Sequence, residues 1–202
     1  MLSSSEQALF QQLSVFAGGW TLEAALAVCR VDGSQGLNVL EGLQSLLDNS
    51  LVRHVGDSHG DRSFRMLETL REYAGEQLDA SCTVAAEIVH ENHVDYYLAL
   101  AERAQPYLQQ AAQQDWLDCL DQEQDNLRAA LVWLCSHEGS FLRLVRLLDA
   151  LLWFWVLRYH VDEGRSWFER VLAGTDAEAP SVARAQLLYG AGMFARAGVK
   201  SR

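Results

Sequence analysis

A mainly α-helical chain with one small β-hairpin is what this sequence predicts, on three observations. Apolar residues recur close to every 3.6 positions across most of the length, and only two prolines interrupt them. Half of the residues are hydrophobic, enough to build sizeable cores in 202 residues. Two short apolar runs, Leu51 to Val55 and Phe64 to Met66, flank a Gly- and Asp-containing turn over 56–61, the pattern of a hairpin. At Phe64 to Ala74 the alternation of a strand turns directly into a charged helical pattern, so the second strand runs straight into a helix.

Each element has its own signal. Ser3 and Glu6 form a capping-box pattern, after which Leu9, Leu13, Phe16 and Ala17 recur at helical spacing until Gly18 and Gly19. Thr21 caps a second helix with Leu22, Ala25, Leu26 and Cys29 on one face. Leu37, Leu40, Leu43 and Leu47 define a third, which Asp48 to Ser50 break before the first strand. Three helices, a hairpin and a helix to about Leu78 make a winged-helix domain over residues 1–80, with a boundary at 79–83. Residues 84–202 read as antiparallel helices over 85–104, 115–135, 141–157, 162–172 and 182–197.

A weak repeat runs through the last of these. Leu148, Leu151 and Leu152, then Gly164, Phe168 and Val171, fit the two helices of a tetratricopeptide-like unit, and Leu188, Ala191, Gly192 and Ala195 restart it. The spacing exceeds the roughly 34-residue period, so the loop at 175–180 must hold the excess, and the array is truncated at its C-terminal end.

The formal charge of −11, from 27 acids against 16 bases, repels phosphate backbones over the chain as a whole. Cys29, Cys82, Cys119 and Cys135 form no Cys-x-x-Cys pair, which indicates reduced thiols and a cytoplasmic protein. No signal peptide follows Met1, and the apolar run 147–157 is too short to span a membrane.

Several stretches carry a family resemblance: Phe16-Ala17-Gly18-Gly19-Trp20, Phe64 to Ala74, His93 to Tyr97, Glu123 to Leu131 with Trp133, and Trp153-Phe154-Trp155 followed by Glu163-Gly164-Arg165 and Trp167. Together they resemble the winged helix and following helical segment of bacterial STAND/NB-ARC-type transcriptional regulators, of the LuxR-type or SARP-type predicted ATPases. The resemblance implies a non-catalytic regulatory and protein-interaction module. An upstream nucleotide-binding domain, absent from this chain, would hold ATP or ADP, and helical repeats would sense a signal or a protein partner. In that family the strand ends in a Met-His-Asp signature facing the nucleotide. The matching triplet here is Met66-Leu67-Glu68, where leucine cannot donate to phosphate, so Met66 and Leu67 are expected to pack in the core and Glu68 to cap its helix.

The remaining chemistry is sparse. Gly198-Val199-Lys200-Ser201 lacks the glycine before lysine that a phosphate loop needs. No Gly-x-Ser-x-Gly occurs and no cysteine has a partner pattern, so no catalytic residue is assigned; an enzyme with an unrecognised site is the alternative from that class. Glu87, His90, Glu91 and His93 have metal-compatible spacing, yet no second Glu-x-x-His exists, so surface or capping histidines are expected and no metal site is assigned. The third helix bears Glu41 and Asp48 without a cation, which argues against direct DNA binding. Arg53, Arg62 and Arg65 on the hairpin are the residues through which the alternative, a DNA-binding winged-helix regulator, would act. Trp153, Phe154, Trp155, Trp167 and Phe168 are expected in the core, and Asp125 and Asn126 to form a polar lock through Asp125 or Arg128. Leu188 and Phe194, on a helix without its repeat partner, are candidate protein-interaction residues, through which the chain could form a homo-oligomer.

Overall fold

The computed structural model describes residues 2–29, 38–56, 62–81, 83–110, 113–174 and 181–199. The expected turn at 57–61, Leu37, Cys82, the 175–180 loop, Lys200 and Ser201 lie outside these, as does the side chain of Arg62. Two compact units are formed, Met1–Tyr97 with Asp125–Ala129, and Leu98–Gln124 with Ala130–Arg202.

In the first unit the order is α1 (Ser4–Gln12), β1 (Gly19–Thr21), α2 (Leu22–Val28), α3 (Val39–Asp48), β2 (Val52–Gly56), β3 (Arg62–Met66) and α4 (Glu68–Ser81), followed by the N-terminal part of α5 (Thr83–Ala104). α1 begins with a complete capping box: Glu6 N–H donates to Ser3 Oγ and Ser3 N–H to Glu6 Oε2. It tightens into a 3₁₀ turn at Leu13–Val15, ahead of the two glycines expected to stop it. Thr21 caps α2 by accepting from Ala24 N–H at 3.1 Å.

The sheet has a strand that the hairpin pattern alone does not reveal. β1 pairs antiparallel with β3, so the order is β1-β3-β2, with Trp20 opposite Phe64 and Phe64 opposite His54. Trp20 is fully buried and stacks on Phe16 at 5.2 Å, and burial of two such side chains stabilises by roughly 2–3 kcal/mol each. Leu9, Leu13, Leu43, Leu46 and Met66 complete this core.

The buried faces of α2 and α3 differ in phase from the expected ones. Ala24, Ala25 and Val28 point inward on α2 while Leu26 is exposed; on α3 Val39, Leu43 and Leu46 are buried while Leu40 is exposed. α3 ends with Ser50 in the left-handed region, Leu51 N–H donating to Leu46 C=O.

The second unit takes the rest of α5, then α6 (Gln113–Gln122), α7 (Gln124–Ser136), α8 (Phe141–Leu157), α9 (Val161–Ala173) and α10 (Ser181–Val199), with residues 125–129 of α7 belonging to the first unit. The single helix expected at 115–135 is two, broken at Glu123, whose ψ of 9° leaves the helical range. α8 is the most apolar element and its Phe154 and Trp155 are buried. α9 and α10 interlock: a Cβ at Gly164 would lie 2.5 Å from Phe194, and one at Gly190 would lie 2.1 Å from Phe168, so only glycine lets each ring seat. Trp155 meets both rings edge-on, at 6.4 Å and 6.3 Å. The inward face of α10 is Ala183, Leu187, Gly190 and Phe194 rather than the expected Leu188, Ala191, Gly192 and Ala195.

Candidate functional site

The junction of β3 and α4 builds a groove of about 340 Å³ in the first unit, lined by Ala17, Gly18, Arg65, Met66, Leu67, Glu68, Arg71 and Asp125. The triplet singled out from the sequence is central to it. Met66 is buried as expected. Leu67 is not, being 43% exposed: it is the single residue between strand and helix, and alternation sends it away from the face that Met66 fills. Glu68 opens α4 and accepts two hydrogen bonds from Arg71, one of them Nε to Oε2 at 3.0 Å. That guanidinium holds the Glu68 carboxyl below its usual range, and Glu68 in turn raises Arg71. Arg71 also donates to Ser14 C=O at 3.4 Å, which ties α4 to the turn after α1.

The floor of the groove is held by Asn126. Its side chain is fully buried, accepts from Ala17 N–H at 2.9 Å and donates to Gly19 C=O at 2.8 Å. It thereby clamps both sides of Gly18, against which the Asp125 side chain packs at 3.3 Å from where a Cβ would stand. A polar lock was legible at Asp125 to Arg128, but the residue that makes it is Asn126. Asp125 and Arg128 pair with each other along one exposed helix face instead. His93, expected at the surface, is buried between Phe16 and Tyr97 and hydrogen-bonds Asn126. Burial pushes its pKa down to about 3, against the upward effect of Asn126, so the ring is neutral at pH 7.

On the wing, Arg53 and Arg65 are direct cross-strand partners and both are exposed, so they share one sheet face. Arg62 pairs through its backbone with Gly56. The outward side of α3 exposes Leu40, Glu41, Gln44 and Asp48, with no cation. In the second unit Leu188 is 55% exposed, whereas Phe194 is fully buried against Trp155 and Phe168 and is removed from the candidate interaction residues. Among the described residues no three His, Cys, Asp or Glu side chains are placed to hold a metal ion, and no helix is long and apolar enough to cross a membrane.

Helix order, the three-stranded sheet and the strand-to-helix junction agree with a comparison against known families, which matches residues 2–79 to the winged helix-turn-helix domain. Residues 2–79 are a winged helix-turn-helix domain. Beyond that domain, the chain is similar to the "Putative HTH-type transcriptional regulator Rv0890c" of Mycobacterium tuberculosis, 37% identical over 175 residues. That match covers 85% of this chain and 19% of the relative, and a similarly named regulator of Mycobacterium bovis matches equally. An uncharacterized protein of Mycobacterium tuberculosis is 38% identical over 82 residues, 40% of this chain and 21% of its own length. The chain thus spans about a fifth of the length of these relatives. No solved structure matches it.

Proposed function

We propose that this chain is a non-catalytic regulatory and protein-interaction module of a larger transcriptional regulator. Its winged-helix domain docks on a nucleotide-binding domain through the groove at Met66, Leu67 and Glu68, and its tetratricopeptide-like helices receive a signal. The observation that carries this is the groove itself. It places the triplet of the STAND resemblance beside Gly18, Arg65, Arg71 and Asp125, with Leu67 open to a partner. The relatives, about five times longer than the aligned segment, leave room for such a domain. ATP or ADP then belongs to that domain, and the chain alone gives no heat with Mg-ATP. In α10, Val182, Leu188 and Tyr189 are each more than half exposed and offer a face for self-association or for a protein partner.

A second reading, direct DNA binding, is favoured by the Arg53–Arg65 pair, which sets two phosphate-directed cations side by side on the wing. One experiment separates the two. In the full-length regulator, Glu68→Lys should change the rate of nucleotide release while leaving duplex affinity intact. Arg53→Ala, outside the groove, should leave nucleotide release unchanged. Loss of DNA affinity in Arg53→Ala with unaltered nucleotide release in Glu68→Lys replaces the docking reading by the DNA reading.

A further inference from the structure

A second cavity, of about 330 Å³, lies within the second unit where the α7–α8 turn meets the C-terminal end of α9. Its floor is apolar, formed by Leu134, Phe141, Leu144 and Val171, and its rim carries Glu138 and Arg170. Both sides of the rim are held in place. Gly139 takes a left-handed φ of 81° that lets the chain reverse, and His137 stacks on Trp133 at 3.8 Å while its ring nitrogen lies 2.8 Å from Trp133 C=O. Across from the turn, the Arg170 guanidinium sits over the Trp167 ring at 5.1 Å.

Arg146 pairs with Glu102, Arg158 with Asp121 and Arg165 with Glu169, which removes the acid next to Arg170. Arg170 and Glu138 line one cavity, yet neither makes an ion pair with the other or with any of the described residues. A cavity near the small end of ligand sites, roughly 300–1,000 Å³, with an apolar floor and, at its mouth, one charge of each sign that no described residue pairs, fits one kind of molecule.

We propose that this cavity binds a small zwitterion with an apolar side group, the chemistry of a free aliphatic or aromatic amino acid. Its carboxylate meets Arg170, its ammonium meets Glu138, and its side group lies on Leu134, Phe141, Leu144 and Val171. Guanidinium and carboxylate suit one another as a fork. The assignment is independent of the docking role of residues 66–68.

Calorimetric titration of the 202-residue chain with L-phenylalanine and L-leucine, to about 10 mM, tests it, with N-acetyl-L-phenylalanine and L-phenylalanine amide as ligands that each lack one charge. Saturable binding to the free amino acid is expected, weakened about fivefold or more for each analogue. Arg170→Gln should bind the amide as well as it binds the free amino acid, and Glu138→Gln should show the same indifference to acetylation, because each variant has already lost the matching contact. Both residues are exposed, so neither substitution threatens the fold. No saturation with either amino acid, equal binding of both analogues, or binding that ignores both substitutions overturns the proposal.

Discussion

Asn126→Ala tests the clamp on Gly18 most directly. The substitution deletes three hydrogen bonds, the one Asn126 accepts from Ala17 N–H, the one it donates to Gly19 C=O and the one with the His93 ring, each worth about 1 kcal/mol net. It also strands those two backbone groups, and a buried orphan costs about 1–3 kcal/mol. Ala17 and Gly19 are only half-buried, so water reaches part of the gap and the expected total is about 2–4 kcal/mol. Urea unfolding followed by circular dichroism gives the stability, and hydrogen exchange of the Ala17 amide reports the bond itself. Asn92→Ala is the reference, since the Asn92 amide donates a single hydrogen bond among the described residues, to Val28 C=O at 3.1 Å, and should cost about 1 kcal/mol. If Asn126→Ala costs less than Asn92→Ala and the Ala17 amide stays equally protected, the clamp is not what holds this loop.

Three further outcomes are expected. His93 is neutral in the fold with a pKa near 3 against about 6.5 when unfolded, so stability linked to it is complete above pH 6.5 and is lost as pH falls toward 3; the melting temperature of wild type should therefore fall relative to that of His93→Phe across that window. Gly190→Ala drives a methyl into Phe168 and should destabilise by about 1–3 kcal/mol, whereas Gly192→Ala, with nothing within 4 Å, should stabilise by about 0.5–1 kcal/mol, both read by thermal unfolding. Leu188→Glu should abolish any concentration-dependent association seen by sedimentation velocity without lowering the melting temperature, since Leu188 is 55% exposed; association that persists locates the contact elsewhere.

Much of this architecture is legible in the chain because its signals are local. Ser3 with Glu6 and Thr21 mark helix starts by side chains that bond a backbone three residues on, and α8 runs Phe141–Leu157 as its unbroken apolar pattern requires. Phase is another matter. α3 contains Val39, Leu40, Leu43, Leu46 and Leu47, two overlapping stripes of similar apolarity, and only tertiary packing, against α1, α2 and β2, decides that Leu40 faces out. β1 is three residues long and exists only because β3 offers it an edge. The break at Glu123 has neither glycine nor proline to announce it. At the site, the triplet 66–68 and the polar character of Asn126 can be read from sequence, but the partner of Asn126 lies 109 residues away and nothing local points to it. His93 resembles a surface histidine in sequence because its burial is set by Phe16 and Tyr97.

The interlock of α9 and α10 bears on how this protein can change over generations. Phe194 seats over Gly164 and Phe168 over Gly190, one helical turn apart on each helix, so the two contacts share one antiparallel alignment. A larger residue at either glycine is tolerable only alongside a smaller one at the ring that covers it. These four positions are therefore inherited as two couples. Among relatives, the ring-and-glycine couples should persist or vanish together, and a lineage that has lost one member without its mate will have re-set the angle at which these helices cross.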